Sequence, residues 1–158
     1  MKKVLIGLDY NPTAQKIAET GFSLAKAMGA EVLLIHVISD PVYYSSTAYS
    51  PIMGFGGYMG LNFSQSGIID ELKKASEDFL DQSKKHLGDT SIQTLVKEGD
   101  VAEIILDVAK ESGADMIVLG SHSQKWLSAI IMGSATQKVL YHSPIPLLII
   151  PTKKQNSL

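Results

Sequence analysis

The chain contains no cysteine. That excludes disulfide frameworks, thiolate zinc sites, iron–sulfur clusters and thiol nucleophiles. Arginine is also absent, because all 14 basic residues are lysine. Without a guanidinium fork there are no bidentate contacts to phosphate, carboxylate or guanine, and no arginine finger. Long apolar runs are missing too. No segment approaches the ~18 apolar residues of a membrane span. Lys2-Lys3 is followed only by Val4-Leu5-Ile6 before Asp9 interrupts, too short for a secretory apolar region. These absences lead to the expectation of a cytoplasmic protein with no membrane insertion. The formal net charge is −2, so no basic field draws in nucleic acid, and no nucleic-acid partner is expected. What is present is an ordinary globular composition. The chain has 158 residues, 45% of them hydrophobic, enough for one domain with a buried core.

Apolar runs and breaker residues set the order of elements. Val4–Leu8 reads as a strand buried on both faces, since it is short and does not alternate. Asn11-Pro12-Thr13 opens a helix with Asn11 as cap, and Gly29 stops it. A second buried strand follows at Glu31–Ile38, then an unpatterned stretch over 39–67. Helical spacing returns from Ile68 to about Leu87, and Ser91–Lys97 alternates as an edge strand does. A helix over Val101–Ser112, a buried strand over Ala114–Leu119, a helix from about Met132 to Tyr141 and a strand over Ile145–Ile150 complete the chain. Strands alternating with helices predict an α/β fold: an open parallel sheet with helices on both faces. Ligands of such sheets sit beyond the carboxyl ends of the strands, where strand order reverses. Asp9, Val37-Ile38 and Gly120 lie at those ends.

The segment after the fourth strand carries the chemistry. It runs Gly120-Ser121-His122-Ser123-Gln124-Lys125-Trp126, then to Gly133-Ser134-Ala135-Thr136. Gly133-Ser134 opens a helix whose exposed amides and positive end suit an anion. The hydroxyls of Ser121, Ser123, Ser134 and Thr136 add donors, making a phosphate cradle that needs no arginine. The same residues also read as a plain strand turn and a serine-capped helix. The glycine-rich run Gly54–Gly60 matches neither a dinucleotide fingerprint nor a P-loop.

Asp9 after strand 1, IHVI at the end of strand 2, VLGSHS…MGSAT and the final IPLLIIP together resemble a universal stress protein, over the chain to about Pro151. The family's nucleotide motif is G-x2-G-x9-G-[ST]. Here Gly120, Ser123, Gly133 and Ser134 keep the spacing, with serine in place of the second glycine. The resemblance implies an adenine-nucleotide alpha-hydrolase-like sheet of order 3-2-1-4-5. It implies a single domain over 1–151 with a polar tail over 152–158, and a homodimer formed through strand 145–150. It implies ATP, with Mg2+ carried in by the nucleotide, held by Gly7, Asp9, Val37, Gly120, His122, Ser123, Gly133, Ser134, Ala135 and Thr136. Asp9 would face the ribose or a phosphate-linked metal, and Val37 would meet adenine through its backbone. The implied role is that of a regulatory stress-response module with slow or no ATP hydrolysis.

No catalytic constellation and no protein-held metal site is expected. His36 reads as a core histidine, and His86 and His142 as complements of helix C-termini. The aromatic stretch over 39–67 reads either as a variable insertion or as a lid or partner surface. An interaction protein of the same fold, acting through its dimer interface and this stretch without nucleotide, is the alternative function.

Overall fold

The computed structural model describes residues 2–9, 13–39, 65–121 and 133–152. Five strands form one sheet: β1 (Lys3–Gly7), β2 (Glu31–Ile38), β3 (Gln93–Glu98), β4 (Met116–Gly120) and β5 (Leu147–Ile150). The helices are α1 (Ala14–Ala27), α2 (Gln65–Leu87), α3 (Val101–Ser112) and α4 (Ser134–His142). The order is β3-β2-β1-β4-β5, as the resemblance implies, with every pairing parallel, as the alternation of elements predicts.

The central strands explain the architecture. β1 is buried along its middle and lacks polar alternation because helices cover both of its faces. On one face Val4, Ile6, Leu34 and Val118 pack with Ile17 and Ala18 of α1 and Phe79 and Leu80 of α2. On the other, Leu5, Ile35, Ile117 and Leu119 pack with Ile105 and Val108 of α3 and Val139 of α4. Right-handed crossovers require this division. The chain moves outward from β1 through β2 to β3, then returns to the far side of β1 for β4 and β5. Strand order therefore reverses between β1 and β4.

Several boundaries differ from the expected ones, each for a local reason. Thr13, not Asn11, holds the cap position of α1; Asn11 lies outside the described residues. α2 already begins at Gln65, so residues 65–67 of the long connection are helical, although apolar spacing starts only at Ile68. β3 starts at Gln93 instead of Ser91, because Asp89 Oδ1 accepts the Ser91 amide at 2.8 Å and holds that residue in a turn. β4 starts at Met116. The Ala114 amide is engaged in closing α3, bonding the Ala109 carbonyl at 2.9 Å beyond Gly113, whose φ of 66° permits the turn. β5 starts at Leu147, after Pro146, which has no amide to give but accepts the Ile117 amide at 3.0 Å. Among the described residues no helix is long and apolar enough to cross a membrane.

Candidate functional site

Every helix of an open parallel sheet starts near the carboxyl ends of its strands. α1 leaves β1 toward one face and α4 leaves β4 toward the other, so a crevice opens between them at the point of reversal. Val37 forms one wall. Ile35 accepts the Leu8 amide at 2.9 Å, whereas Ile38 accepts the Gly99 amide at 3.0 Å. Because alternate residues of a strand point their backbone groups to opposite neighbours, Val37 faces the β1 side. β1 ends at Gly7, level with Ile35. The N–H and C=O of Val37 therefore look out above the end of that strand.

His36 holds the adjoining backbone in place. It is buried, and its Nδ1–H donates to the Leu8 carbonyl at 2.8 Å, which fixes the tautomer. Its ring meets Phe79 edge-on at 6.2 Å. Burial lowers its pKa to about 4, so it stays neutral at physiological pH. The expected core histidine is thus found, one residue from Val37 and bound next to half-buried Asp9.

Gly7 and Gly120 have packing reasons of their own. A Cβ on Gly7 would come within 2.5 Å of Leu119 Cδ2. One on Gly120 would come within 2.5 Å of Ile17 Cδ1 and 2.9 Å of Thr152 Cγ2. Both positions let the elements around the crevice approach closely.

Past Gly120 the chain is stapled. The Ser121 amide donates to Ile150 at 2.9 Å, and the Ser121 hydroxyl accepts the Thr152 amide at 3.1 Å. Thr152 is only 8% exposed. The Ser121 carbonyl accepts the Gly133 amide at 2.9 Å, which seats the start of α4 against the end of β4. Thr136 is buried and its hydroxyl donates to the Gly120 carbonyl at 3.0 Å. That proton is committed to the backbone and not turned to the crevice.

Among the described residues no side chain caps the start of α4. Gly133 stands at the cap with no side-chain cap bond, and the first turn holds no acid. The first intrahelical bond runs from the Gln137 amide to the Gly133 carbonyl at 2.9 Å. Helix geometry leaves the amides of Ser134, Ala135 and Thr136 without acceptors inside the helix, at its positive end. The structure thus brings together Asp9, Val37, Gly120 and Gly133–Thr136 at one end of the sheet. His122, Ser123, Lys125 and Trp126 lie outside the described residues. Among the described residues no three His, Asp or Glu side chains cluster as metal ligands.

Two contacts here are not visible in the sequence pattern. Ser121 and Thr136 stand out there as hydroxyls, but their partners, Thr152 and Gly120, are identified only by the fold. Elsewhere, His86 at the end of α2 also bonds Glu19 of α1 at 2.7 Å, a helix-to-helix contact that dipole arguments do not anticipate.

An open sheet reversing between β1 and β4, with a backbone slot beside a bare helix start, defines an α/β domain of the adenine nucleotide alpha-hydrolase-like fold. The universal stress protein family profile matches residues 1–151, and the chain belongs to that family. It is 29% identical to universal stress protein MJ0577 of Methanocaldococcus jannaschii over 162 residues, covering 99% of this chain and 97% of that protein. The solved structure of MJ0577 aligns with a TM-score of 0.73 at 25% identity, over 96% of each chain. A universal stress protein from Archaeoglobus fulgidus in complex with dAMP aligns at 0.60 and 18% identity, over 95% of this chain and 98% of that one. Another universal stress protein in complex with cAMP aligns at 0.59 and 19% identity, over 94% and 95%. The last two likenesses concern the fold.

Proposed function

We propose that this chain is a cytoplasmic, homodimeric ATP-binding regulatory protein of the stress response, with slow or no hydrolysis. The observation that carries the reading is the uncapped start of α4, seated on β4 by the Gly133–Ser121 bond. Phosphates would meet the amides of Ser134, Ala135 and Thr136, where the helix end favours negative charge. Adenine would pair with the outward backbone of Val37, and Asp9 would face the ribose or a magnesium ion carried by the phosphates. Magnesium supplies charge neutralisation to the nucleotide. The relatives bound to dAMP and cAMP support an adenine nucleotide as the ligand class. The absence of arginine weighs against rapid phosphoryl transfer, which needs charge stabilisation on the moving group. Isothermal titration with Mg-ATP, with mass spectrometry of small molecules released on denaturation, tests this reading. Saturable heat or a co-purified adenine nucleotide supports it. Silence in both at millimolar ATP leaves the interaction-protein reading.

The edge of the sheet favours self-association in either case. Leu147, Leu148 and Ile149 of β5 are half-buried apolar residues on an edge strand. Beside them on α4, Leu140 is 44% and Tyr141 80% exposed. The Ser121 amide bonds Ile150, so the backbone of Ile149 points away from β4, toward the open edge. Ile149→Pro removes that outward amide without removing a bond to β4. Sedimentation equilibrium should show a dimer for the parent and a monomer for the variant; a variant that remains dimeric places the interface elsewhere.

A further inference from the structure

A phosphate site in a chain without arginine still needs a cation, and the charged contacts around the crevice narrow the choice. Lys138 of α4 stands near the bare helix start, but its ammonium lies 3.3 Å from Asp100 Oδ2. Lys26 in the last turn of α1 and Lys3 at the start of β1 lie at the opposite end of the sheet, where they meet Asp89 at 2.5 Å and Glu31 at 3.7 Å. Each of these charges already has a carboxylate. Lys16 does not share that arrangement among the described residues: its exposed ammonium donates to a neutral acceptor, the Pro151 carbonyl, at 3.1 Å. The acid one turn along α1, Glu19, is turned instead to Gln15 and His86, at 2.9 and 2.7 Å.

The place of Lys16 is equally unusual. It sits in the first turn of α1, which carries no acidic residue, and there a cation opposes the helix dipole. Its neighbour Ile17 packs against Gly120, close enough to exclude a Cβ there. Its acceptor, Pro151, precedes Thr152, whose amide bonds the Ser121 hydroxyl. Ser121 in turn holds Gly133. One run of contacts therefore joins Lys16 to the strand end and the helix start between which residues 122–132 depart and return.

We infer that Lys16 is the phosphate-count sensor of the crevice, its ammonium exchanging the Pro151 carbonyl for the outer phosphate oxygens of a nucleoside polyphosphate. This rests on the nucleotide-binding reading above. It adds a specificity: Lys16 favours tri- over monophosphate and is indifferent to the nucleoside. A phosphate oxygen adds to the ammonium's hydrogen bond a Coulombic attraction that the neutral carbonyl lacks, so the exchange is favourable. Lys16 is a positioning and selectivity residue in this scheme.

The experiment is calorimetric titration of ATP, AMP and adenosine into the parent, Lys16→Gln and Lys16→Arg, at fixed magnesium and two salt concentrations. Lys16→Gln should weaken ATP about tenfold, AMP less, and adenosine not at all. It should also flatten the salt dependence of ATP binding. Lys16→Arg should restore ATP affinity. An equal loss for all three ligands means that Lys16 only ties α1 to the end of β5, and overturns the inference while nucleotide binding stands. So does unchanged ATP affinity in Lys16→Gln. A parent that binds none of the three overturns both readings.

Discussion

The helices α3 and α4 pack side by side on one face, and both begin at the carboxyl end of the sheet, yet their starts are built in opposite ways. α3 is closed: Asp100 caps it, accepting the Glu103 amide at 3.0 Å, and Glu103 adds an acid to the first turn. α4 is open: glycine at the cap, no side-chain bond, no acid. One helix satisfies its positive end with its own cap; the other, among the described residues, has no side chain there. Two neighbours of the same architecture thus differ in whether a side chain closes the helix start, and the open one is where the proposed function puts phosphate.

The largest expected effect comes from making α4 resemble α3. Gly133 has φ −55° and ψ 147°, a conformation open to any residue, so Gly133→Asp should fold. Its carboxylate would accept from the first-turn amides and repel phosphate. ATP affinity by calorimetry should fall more than about a hundredfold, while denaturant stability holds or rises by a few tenths of a kcal/mol. Unchanged affinity would mean that the bare start is not where phosphate binds. Next is the support of the open end. Thr136→Val removes the hydroxyl that bonds the Gly120 carbonyl, and urea unfolding should show a loss of about 1–3 kcal/mol. A cost near zero would show that α4 is seated by Ser121–Gly133 alone.

The smallest effect opens the closed end. Asp100→Ala should cost about 1 kcal/mol of stability and leave ATP affinity within about twofold. Acid should imitate it. The Glu103 amide, and then Lys138, hold the Asp100 carboxyl below its ordinary value. Its contribution is therefore present above the unfolded carboxyl pKa, about 3.9, and is lost as pH falls through the lower native value. Gly133, Ser134, Ala135 and Thr136 have nothing to titrate there. Hydrogen exchange across that range should loosen the first turn of α3 before that of α4; simultaneous loosening would erase the distinction.

Much of this fold is legible in the amino-acid order because its strands are buried on both faces. Runs such as Val4-Leu5-Ile6 and Ile117-Val118-Leu119 have no other stable place in a small α/β domain. Element ends are less legible, since long-range or cap contacts decide them: the Asp89 turn before β3, the Pro146 carbonyl before β5. The site shows the same split. Asp9, Val37 and Gly120 are singled out by the rule that ligands gather at strand carboxyl ends, and Gly133–Thr136 by the helix they open, whereas the polar contacts among them join residues distant in the chain. Thr152 reads as tail by composition and is anchored only because Ser121 reaches it. Lys16 looks like any helix-surface lysine until Pro151 is seen beside it.

The Gly133–Ser121 bond has a consequence for how such a protein can change over generations. It brings Ser121 and Gly133 to 2.9 Å of each other, so any chain length between them closes on the same bond. Lengthening a circuit of this kind is inexpensive, about 0.6 kcal/mol for each doubling. The bond itself shifts neither β4 nor α4. A change of length between those two residues therefore leaves the sheet and the start of α4 as they are.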